Sequence, residues 1–415
     1  MINQETNQHI KTGLRFFYGY IVVIAAFLTM MVSFGLYGTS FGIFFKPLLN
    51  EFGWARAVIS GAYSLSVSIH GVLSIIMGGL TDRFGPRPIL TFCGFFLGLG
   101  YLLMSQTSTI WQLYLFYGVI VGIGMSGVWV PLLSTVARWF IGRRSLVSGI
   151  IIAGVGMGSF IAPPVINRLI SIYGWRLSYI IIGCTVLLIM GLAAQFLKRD
   201  PTQMGQMPYR ANEGPQQELK SGTKDFSLKE AAHTIQFWLI SIIGLCTGIN
   251  MAAVIIHIVP HATDMGISAV SAANILATIG GVRILGNYVL GGVADRIGNR
   301  QVFIIGFILI LASLFWLMPA REVWMLYLFV GVFGFAIGGI SASESPLIAR
   351  LFGLHSHGLI YGVIDLGFVV GATIGPFLTG CIFDATGSYK LAFLLCAAFA
   401  VTGLILAALL RLPQR

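Results

Sequence analysis

Three ionisable residues lie inside long apolar stretches, where a charge is costly. Arg283 stands within IGGVRILGNYVLGGVADRIG (279–298), His70 stands within SLSVSIHGVLSIIMGG (64–79), and Asp365 directly follows GLIYGVI. A central arginine costs roughly 2.5–3.5 kcal/mol on membrane-insertion scales. A guanidinium binds a carboxylate through two parallel hydrogen bonds, an imidazole titrates near neutral pH, and a buried carboxyl group can hold a proton. These residue types therefore predict a site for an organic anion and a proton.

The composition predicts that lipid surrounds most of the chain. Of its 415 residues, 57% are hydrophobic and 9% are charged, with a mean hydropathy of +0.89, whereas about 25% of the residues in a soluble domain are charged. Arg283 lies about 18 Å along a helix from Asp295, just past the midplane of a hydrocarbon core about 30 Å thick. Apolar runs predict twelve membrane-spanning helices at 18–44, 59–80, 89–104, 111–136, 146–170, 175–197, 237–257, 271–294, 302–317, 324–343, 359–383 and 391–410.

The basic residues predict the orientation of the chain. With the N-terminus inside, eighteen of the 25 lysines and arginines fall in cytoplasmic segments and six fall on the opposite side. This bias follows the positive-inside rule and predicts that both termini are cytoplasmic. For a bacterial host, it predicts an integral protein of the inner membrane. The formal net charge of +11 is thus a topology signal and gives no support for nucleic-acid binding. The first apolar run follows a polar tail and does not have the pattern of a cleavable signal peptide.

One polar segment and one internal repeat divide the chain into halves. Residues 198–236 are rich in proline, glycine, glutamine and charge, which predicts a cytoplasmic linker between an N-terminal six-helix bundle (1–197) and a C-terminal six-helix bundle (237–415). GGLTDRFGPR (78–87) matches GGVADRIGNR (291–300) at a shift of 213 residues. The same shift relates Gly149, Gly154, Gly158, Pro163 and Gly174 to Gly362, Gly367, Gly371, Pro376 and Gly387. Two parallel repeats predict a transporter with its site near the midplane between them.

The two charged turns resemble the loop motif between the second and third helices of the major facilitator superfamily. AGVGMGSFIAPP (153–164) is similar to the family's glycine-rich motif on helix five. SFGIFFKPLLNEFGWARAVISGAYSL, ARWFIGRRSLVSG, HIVPHATDMGIS and GLHSHGLIYGVI resemble the monocarboxylate-transporter and oxalate:formate-antiporter branch. The resemblance implies an all-α integral membrane fold with twelve transmembrane helices in two pseudo-symmetric six-helix bundles. It also implies a gate that latches one access state, formed by Asp82, Arg83, Asp295 and Arg296; the alternative is a charged turn that only sets topology.

The resemblance also places candidate residues around a central cavity. The branch has its helix-eight arginine where this chain has Asn287, and Arg283 lies one turn earlier on the same helix face. Tyr37 and Asn250 fall on helices one and seven, which line the cavity in this fold. Subtracting the 213-residue shift from Arg283 gives His70 on helix two. We therefore expect these five residues to contact the substrate, with His70 also a candidate to carry a coupled proton.

The acidic residues receive different predictions. Asp365 lies on helix eleven, where the antiporter branch has a basic residue, which favours a monoanion that moves with a proton held by Asp365. Alternatively, Asp365 only neutralises Arg283. Glu344 follows the apolar run 324–343, which predicts a solvated or interfacial position at a helix end.

The sequence predicts a secondary active transporter that moves a small monocarboxylate, such as lactate or pyruvate, together with a proton, and that acts as a monomer. A carboxylate antiporter of the oxalate/formate type is one alternative. A cation or drug exporter, which would be expected to place acids in the cavity, is another, and a sensor on the same fold is a third. We predict no enzyme, catalytic residue, cofactor or metal site, because the sequence lacks a Walker loop, an HExxH motif, paired Cys/His spacing and a nucleophile motif.

Overall fold

Twelve membrane-crossing helices follow one another along the chain. The computed structural model describes residues 17–54, 56–209 and 225–411, and eleven of their helices are long and apolar enough to cross a membrane. One of the eleven holds two crossings. We number the crossings α1 (Gly19–Phe52), α2 (Arg56–Phe84), α3 (Pro86–Met104), α4 (Ile110–Trp139), α5 and α6 (the two parts of Arg144–Phe196), α7 (Ile235–Asp264), α8 (Ala269–Ile297), α9 (Asn299–Leu317), α10 (Val323–Phe352), α11 (His357–Thr386) and α12 (Lys390–Leu409).

The boundary between α5 and α6 is a single glycine. The helical segment Arg144–Phe196 has 53 residues, a length of about 80 Å that exceeds twice the thickness of a hydrocarbon core. Gly174 interrupts it with φ 75° and ψ 166°, a backbone conformation that is open to glycine and strained for other residues. The chain therefore crosses once before Gly174 and once after it, and the prediction of twelve crossings is confirmed.

Shorter elements interrupt or connect the crossings. A π-helical turn, Gly35–Thr39, lies inside α1, and a longer one, Tyr114–Val121, lies inside α4. Between α6 and α7 the described residues form a 3-10 turn, Pro201–Met204, and a short capped helix, Leu228–Ala232. Residues 210–224 of the predicted linker lie outside the described residues.

Glycines bring α1 against α5 and α7 against α11. A Cβ atom on Gly158 would lie 2.0 Å from the carbonyl oxygen of Met31, and one on Gly371 would lie 2.1 Å from that of Leu245. Small residues at such positions let two membrane helices approach backbone to backbone. The predicted glycine face of α5 and α11 is therefore a packing surface within each half, and it repeats at the 213-residue shift.

We expect Gly158→Val to destabilise the protein by about 1–3 kcal/mol or more, because the new side chain would overlap the α1 backbone, which cannot rotate away. Gly191→Val is the matched control: Gly191 also lies in a helix, and a Cβ there would meet nothing within 4 Å. The melting temperature in detergent should fall in the first variant and stay close to wild type in the second. Equal melting temperatures would contradict this packing account.

The two halves, α1–α6 and α7–α12, contact each other along two seams, α2 with α11 and α5 with α8. We call the end of the bundle that carries the turns 78–87 and 291–300 the motif face. There, a Cβ on Gly78 would lie 2.2 Å from the Gly358 carbonyl oxygen, and one on Gly291 would lie 2.8 Å from that of Ser145. The 213-residue shift relates both glycines and both of their partners, so the seams are pseudo-symmetric.

Candidate functional site

A cavity lies between the halves, and four ionisable residues line it. The space open to the centres of water molecules is about 180 Å³, which suits a small organic molecule. The polar side chains in its wall are His70, Trp129, Thr247, Arg283, Ser341, Glu344 and Asp365. The structure thus brings together three residues singled out from the sequence, namely Arg283, His70 and Asp365.

Arg283 lines the cavity with few partners of its own. Its Nη2 donates a hydrogen bond to the Ser341 hydroxyl at 3.2 Å, and its Nε is buried without a hydrogen-bond partner. Among the ion pairs of the described residues, none joins Arg283 to Asp365 or to any other acid. The guanidinium is therefore half-buried with most of its donor capacity unused.

Two carboxyl groups share the cavity with this cation. Asp365 is 6% exposed, and no hydrogen bond or ion pair within the described part of the chain involves its side chain. The Glu344 carboxyl group is close enough to interact electrostatically with that of Asp365. Two like charges in a water-poor space repel each other more strongly than they would in water.

The position predicted for Glu344 from the sequence is wrong. The apolar run stops at Ser343, which predicted a helix end at Glu344. In the structure α10 continues through Pro346 to Phe352 and carries Glu344 in the cavity wall. A proline is tolerated inside a membrane helix because neighbouring groups can satisfy the backbone that it frees.

A chain of polar side chains closes the cavity toward the motif face. The Trp129 indole Nε1 on α4 donates to the Tyr361 hydroxyl on α11 at 2.9 Å, which links the two halves. The Tyr361 hydroxyl also lies within hydrogen-bonding reach of the Glu344 carboxylate. Tyr361 is fully buried one turn before Asp365, on the side of Gly358 and the motif face. We call Trp129, Tyr361 and Glu344 the cavity floor.

His70 reaches the cavity from the opposite half, on α2. Its ring packs edge-on against Phe34 and Tyr37, at centroid distances of 6.4 and 6.3 Å. Its Nε2 is buried without a hydrogen-bond partner. An imidazole with an unused nitrogen beside an open space can bind a polar group of a ligand.

Three other residues predicted to contact the substrate do not line the cavity. The Tyr37 hydroxyl donates to Ser66 at 3.1 Å, and its ring stacks within a buried tyrosine cluster. Asn250 is fully buried and bonds to the Cys246 carbonyl of its own helix at 2.9 Å. Asn287 is 1% exposed at the α5–α8 seam, and a Cβ on Gly149 would lie 2.1 Å from its backbone oxygen.

The remaining wall of the cavity is apolar. Its members come from both halves: Phe34, Val155, Ile240, Ile243, Met251, Phe303, Ile340, Phe368 and Val369. The charged groups, by contrast, lie on α8, α10 and α11 of the C-terminal half. Seven of these nine apolar residues also belong to the C-terminal half, so a ligand in this space would meet charged and apolar groups side by side.

Asp82 joins the halves at the motif face. Its carboxylate accepts hydrogen bonds from the first backbone N–H groups of α11, those of Gly358 at 3.0 Å and Leu359 at 2.9 Å. Arg138 on α4 pairs with the same carboxylate at 2.6 Å and donates to the Leu354 carbonyl of the other half. A carboxylate at a helix N-terminus accepts hydrogen bonds from N–H groups that have no partner within the helix. Its negative charge is also favourable beside the positive end of the helix dipole.

Asp295 makes the equivalent contact in the second half. It accepts from the first N–H groups of α5, those of Ser145 at 2.9 Å and Leu146 at 3.0 Å. Asn299 also donates to the Ser145 hydroxyl at 2.8 Å. In the part of the chain that the structure describes, Asp295 has no ion pair to match Arg138.

The two arginines of the predicted gate lie outside these contacts. Arg83 and Arg296 are exposed at the ends of α2 and α8, and neither forms an ion pair with a described residue. The arginine that pairs with Asp82 is Arg138, which sequence reasoning assigned only to the cytoplasmic basic residues. The pairing was not visible from the sequence because the two residues are 56 positions apart.

Hydrogen bonds between the halves are confined to one side of the cavity. Those formed by described residues involve the cavity floor, the contacts of Asp82, Arg138 and Asp295, the Asn299–Ser145 bond, and the bond from the Ser345 hydroxyl to the Leu133 carbonyl. All of them lie between the cavity and the motif face. The structure is therefore closed at the motif face.

Comparison with known proteins points to one family. The model of the Major Facilitator Superfamily matches residues 22–283 and 238–415. The chain is 27% identical over 391 residues to monocarboxylate transporter 13 of Bos taurus, and this match covers 93% of this chain and 88% of that protein. It is 27% identical to the uncharacterized MFS-type transporter YhjX of Escherichia coli K12, over 75% of each chain. The solved structure of the transporter FucP in the outward conformation has a TM-score of 0.72 at 16% identity, covering 94% of this chain and 99% of that one.

Proposed function

Because the chain belongs to the major facilitator superfamily, we propose that this transporter carries a small organic monoanion across the membrane by alternating access, together with a proton. Relatives named monocarboxylate transporters, in Bos taurus and in Homo sapiens, support a carboxylate as the cargo. The observation that carries the proposal is Arg283, a half-buried cation in the cavity wall whose one hydrogen-bond partner among the described residues is Ser341. A carboxylate would fill its free donors through a bidentate contact.

The charges around the cavity support coupling to protons. Arg283 carries one positive charge, whereas Glu344 and Asp365 together can carry two negative charges. An entering anion would add a third negative charge in a water-poor space, where uncompensated charge is expensive. Protonation of a carboxyl group offsets that charge, so an anion and a proton stabilise each other in the cavity. Asp365 and His70 are the residues proposed from the sequence to carry the proton.

The apolar wall supports a carboxylate with an apolar body. With its head group at Arg283, a ligand would extend toward Phe34 and Val155 of the N-terminal half or toward the side chains of α7. Lactate and pyruvate leave this surface largely uncovered. Longer aliphatic or aromatic acids would bury more of it, within the limit set by the cavity volume.

We expect affinity to increase along a series of carboxylates with the same head group and a growing apolar body. Each buried CH₂ group contributes about 0.8 kcal/mol, which is roughly a fourfold change in the dissociation constant. Competition against a labelled acid, from pyruvate through 2-oxobutyrate to 4-methyl-2-oxopentanoate, measures this dependence. An affinity that falls with each added carbon would place the substrate's body outside the apolar part of the cavity.

We also propose an orientation in the membrane and a movement of the two bundles. The bias of basic residues supports a cytoplasmic motif face and cytoplasmic termini. The bundles 1–197 and 237–415 would then rock about the central site, with residues 198–236 as their linker. Asp82 and Asp295, with Arg83 and Arg296 beside them, would latch the state that is closed to the cytoplasm. We propose a monomer in a bacterial inner membrane.

A cation exporter is the second candidate, and a specific observation favours it. The cavity holds two acids, Glu344 and Asp365, against one arginine, and acids are the groups that a cation site requires. A carboxylate antiporter is the third candidate. In that mechanism a second anion, and not a proton, would displace the bound anion from Arg283.

Uptake into proteoliposomes tests these three candidates. A panel of labelled lactate, pyruvate, 4-methyl-2-oxopentanoate, oxalate and a cationic dye is measured with and without an inward proton gradient. Accumulation of a monocarboxylate that needs the gradient is the expected result. Oxalate exchange without a gradient would support the antiporter, and transport of the dye alone would overturn the anion proposal.

A further inference from the structure

Glu344 occupies the one position in the described part of the cavity where an acid is linked to both halves of the protein. It lies on α10 in the C-terminal half, and its carboxylate faces the Tyr361 hydroxyl of α11. Tyr361 in turn accepts a hydrogen bond from Trp129 of the N-terminal half. The charge of Glu344 is therefore one hydrogen bond away from a contact that holds the halves together.

The groups that surround Glu344 come from several helices. Asp365 on α11 interacts with it electrostatically, Arg283 on α8 and His70 on α2 share the cavity wall, and Tyr361 lies beside it. Arg283 forms no ion pair with Glu344 within the described residues. No cation thus neutralises Glu344 directly, while a second carboxyl group stands close to it.

The contacts of the two acids differ. Asp365 has no hydrogen-bond partner among the described residues, whereas Glu344 faces a tyrosine that cannot move without disturbing Trp129. Both acids can bind a proton. Glu344, unlike Asp365, lies beside a residue that is hydrogen-bonded to the opposite half.

We infer that Glu344 is the residue that takes up the transported proton, and that Tyr361 transmits its charge state to the Trp129 contact at the cavity floor. This inference rests on the proposed function and names the residue that serves it. The Tyr361 O–H donates a charge-assisted hydrogen bond to an ionised Glu344, which holds the phenol oxygen toward Trp129. A proton from the open side adds to a Glu344 carboxylate oxygen, and the bond becomes a weaker neutral one. The floor loosens, and the proton leaves Glu344 on the other side after the substrate has left Arg283.

Two transport assays on Glu344→Gln test the inference. The first is accumulation of a carboxylate driven by a proton gradient, and the second is exchange of labelled for unlabelled carboxylate at equal pH. Exchange requires no net release of a proton, so we expect it to continue at a reduced rate while accumulation is lost. Accumulation at the wild-type level would overturn the inference, and loss of both activities would make Glu344 a structural or substrate-binding residue instead.

Glu322→Gln is the matched control for these assays. Glu322 is exposed at the N-terminal end of the same helix, α10, where it accepts a hydrogen bond from Trp324. It lies outside the cavity, so both transport activities should equal those of the wild type. A loss of accumulation in this variant as well would overturn the assignment to Glu344.

Infrared difference spectra across a pH titration detect the proton without any substrate. The purified protein should show a carboxylic-acid band that disappears in Glu344→Gln and persists in Glu322→Gln. A band that persists in Glu344→Gln and disappears in Asp365→Asn would assign the proton to Asp365 and overturn the inference. The wild type could fail to transport any carboxylate while the band is still absent from the spectrum of Glu344→Gln. That pair of results would contradict the proposed function and still support the proton site.

Tyr361→Phe separates a positioning role from a purely structural one. The variant keeps the ring in its buried site and removes only the hydroxyl that joins Glu344 to Trp129. We expect the difference in exchange rate between low and high pH to become at least severalfold smaller, because the charge of Glu344 no longer affects the Trp129 contact at the cavity floor. A lower rate with an unchanged pH profile would show that Tyr361 only packs.

Discussion

Replacing Arg283 with alanine is expected to lower the affinity for a carboxylate substrate by roughly 100-fold. The loss of one partner from a buried charge pair costs about 2–5 kcal/mol, and about 1.4 kcal/mol corresponds to a factor of ten. The guanidinium has free donors in the cavity wall, including a buried Nε, so it has the capacity to hold both oxygens of a carboxylate. Binding and uptake of a labelled carboxylate in proteoliposomes measure the effect.

Two further variants make this result specific. Arg283→Lys keeps the charge and loses the planar fork, and we expect it to recover only part of the affinity. Arg321→Ala removes an arginine from an exposed turn before α10, and uptake should equal that of the wild type. Undiminished uptake in Arg283→Ala, in a variant that still folds, would leave Arg283 without a role in binding and strengthen the cation-exporter candidate.

Replacing Asp82 with asparagine is expected to open the motif face. Arg138, whose side chain is 7% exposed, would lose its close carboxylate partner and keep the Leu354 carbonyl at 3.0 Å and Asp200 at 3.9 Å. An unpaired buried charge costs about 3–5 kcal/mol, which shifts the equilibrium between closed and open states roughly 100-fold or more. Spin labels at Phe84 and Ile297, two exposed positions on the motif face, would report a longer distance between the halves.

Asp295→Asn is the matched comparison for the latch. It occupies the same place in the second repeat, but it accepts only from backbone N–H groups and has no arginine partner among the described residues. An asparagine side chain can still accept one of those hydrogen bonds, so we expect a shift of about 1 kcal/mol. A larger shift from Asp295→Asn than from Asp82→Asn would contradict the assignment of the stronger latch to the Arg138 pair.

The fold could be predicted from the sequence because its signals are local or repeated. Apolar runs of membrane length give the crossings, and a repeat at a fixed shift gives the two halves. Where the sequence carries no local signal, the prediction failed. Glu344 was placed at a helix end because the apolar run stops at Ser343, yet the helix continues to Phe352 and places the acid in the cavity wall.

The site could be predicted in part for the same reason. Arg283, His70 and Asp365 stand out because a charge inside an apolar run is costly wherever the helix points. Tyr37 and Asn250 carry no such cost, and only the packed structure shows that the Tyr37 hydroxyl bonds to Ser66 and the Asn250 amide bonds to the Cys246 carbonyl. The pairing of Asp82 with Arg138 and the contact of Trp129 with Tyr361 join distant parts of the chain, which a single sequence cannot reveal.

The uneven distribution of hydrogen bonds between the halves has a pharmacological consequence. The bonds formed by described residues lie between the cavity and the motif face. A membrane-impermeant competitor would therefore have the fewest contacts to break if it approached from the opposite face. In vesicles that contain the protein in both orientations, a low concentration of such a compound added outside would inhibit mainly the molecules whose motif face points inward. The fraction of activity that resists it would then measure the orientation of the protein in the vesicle.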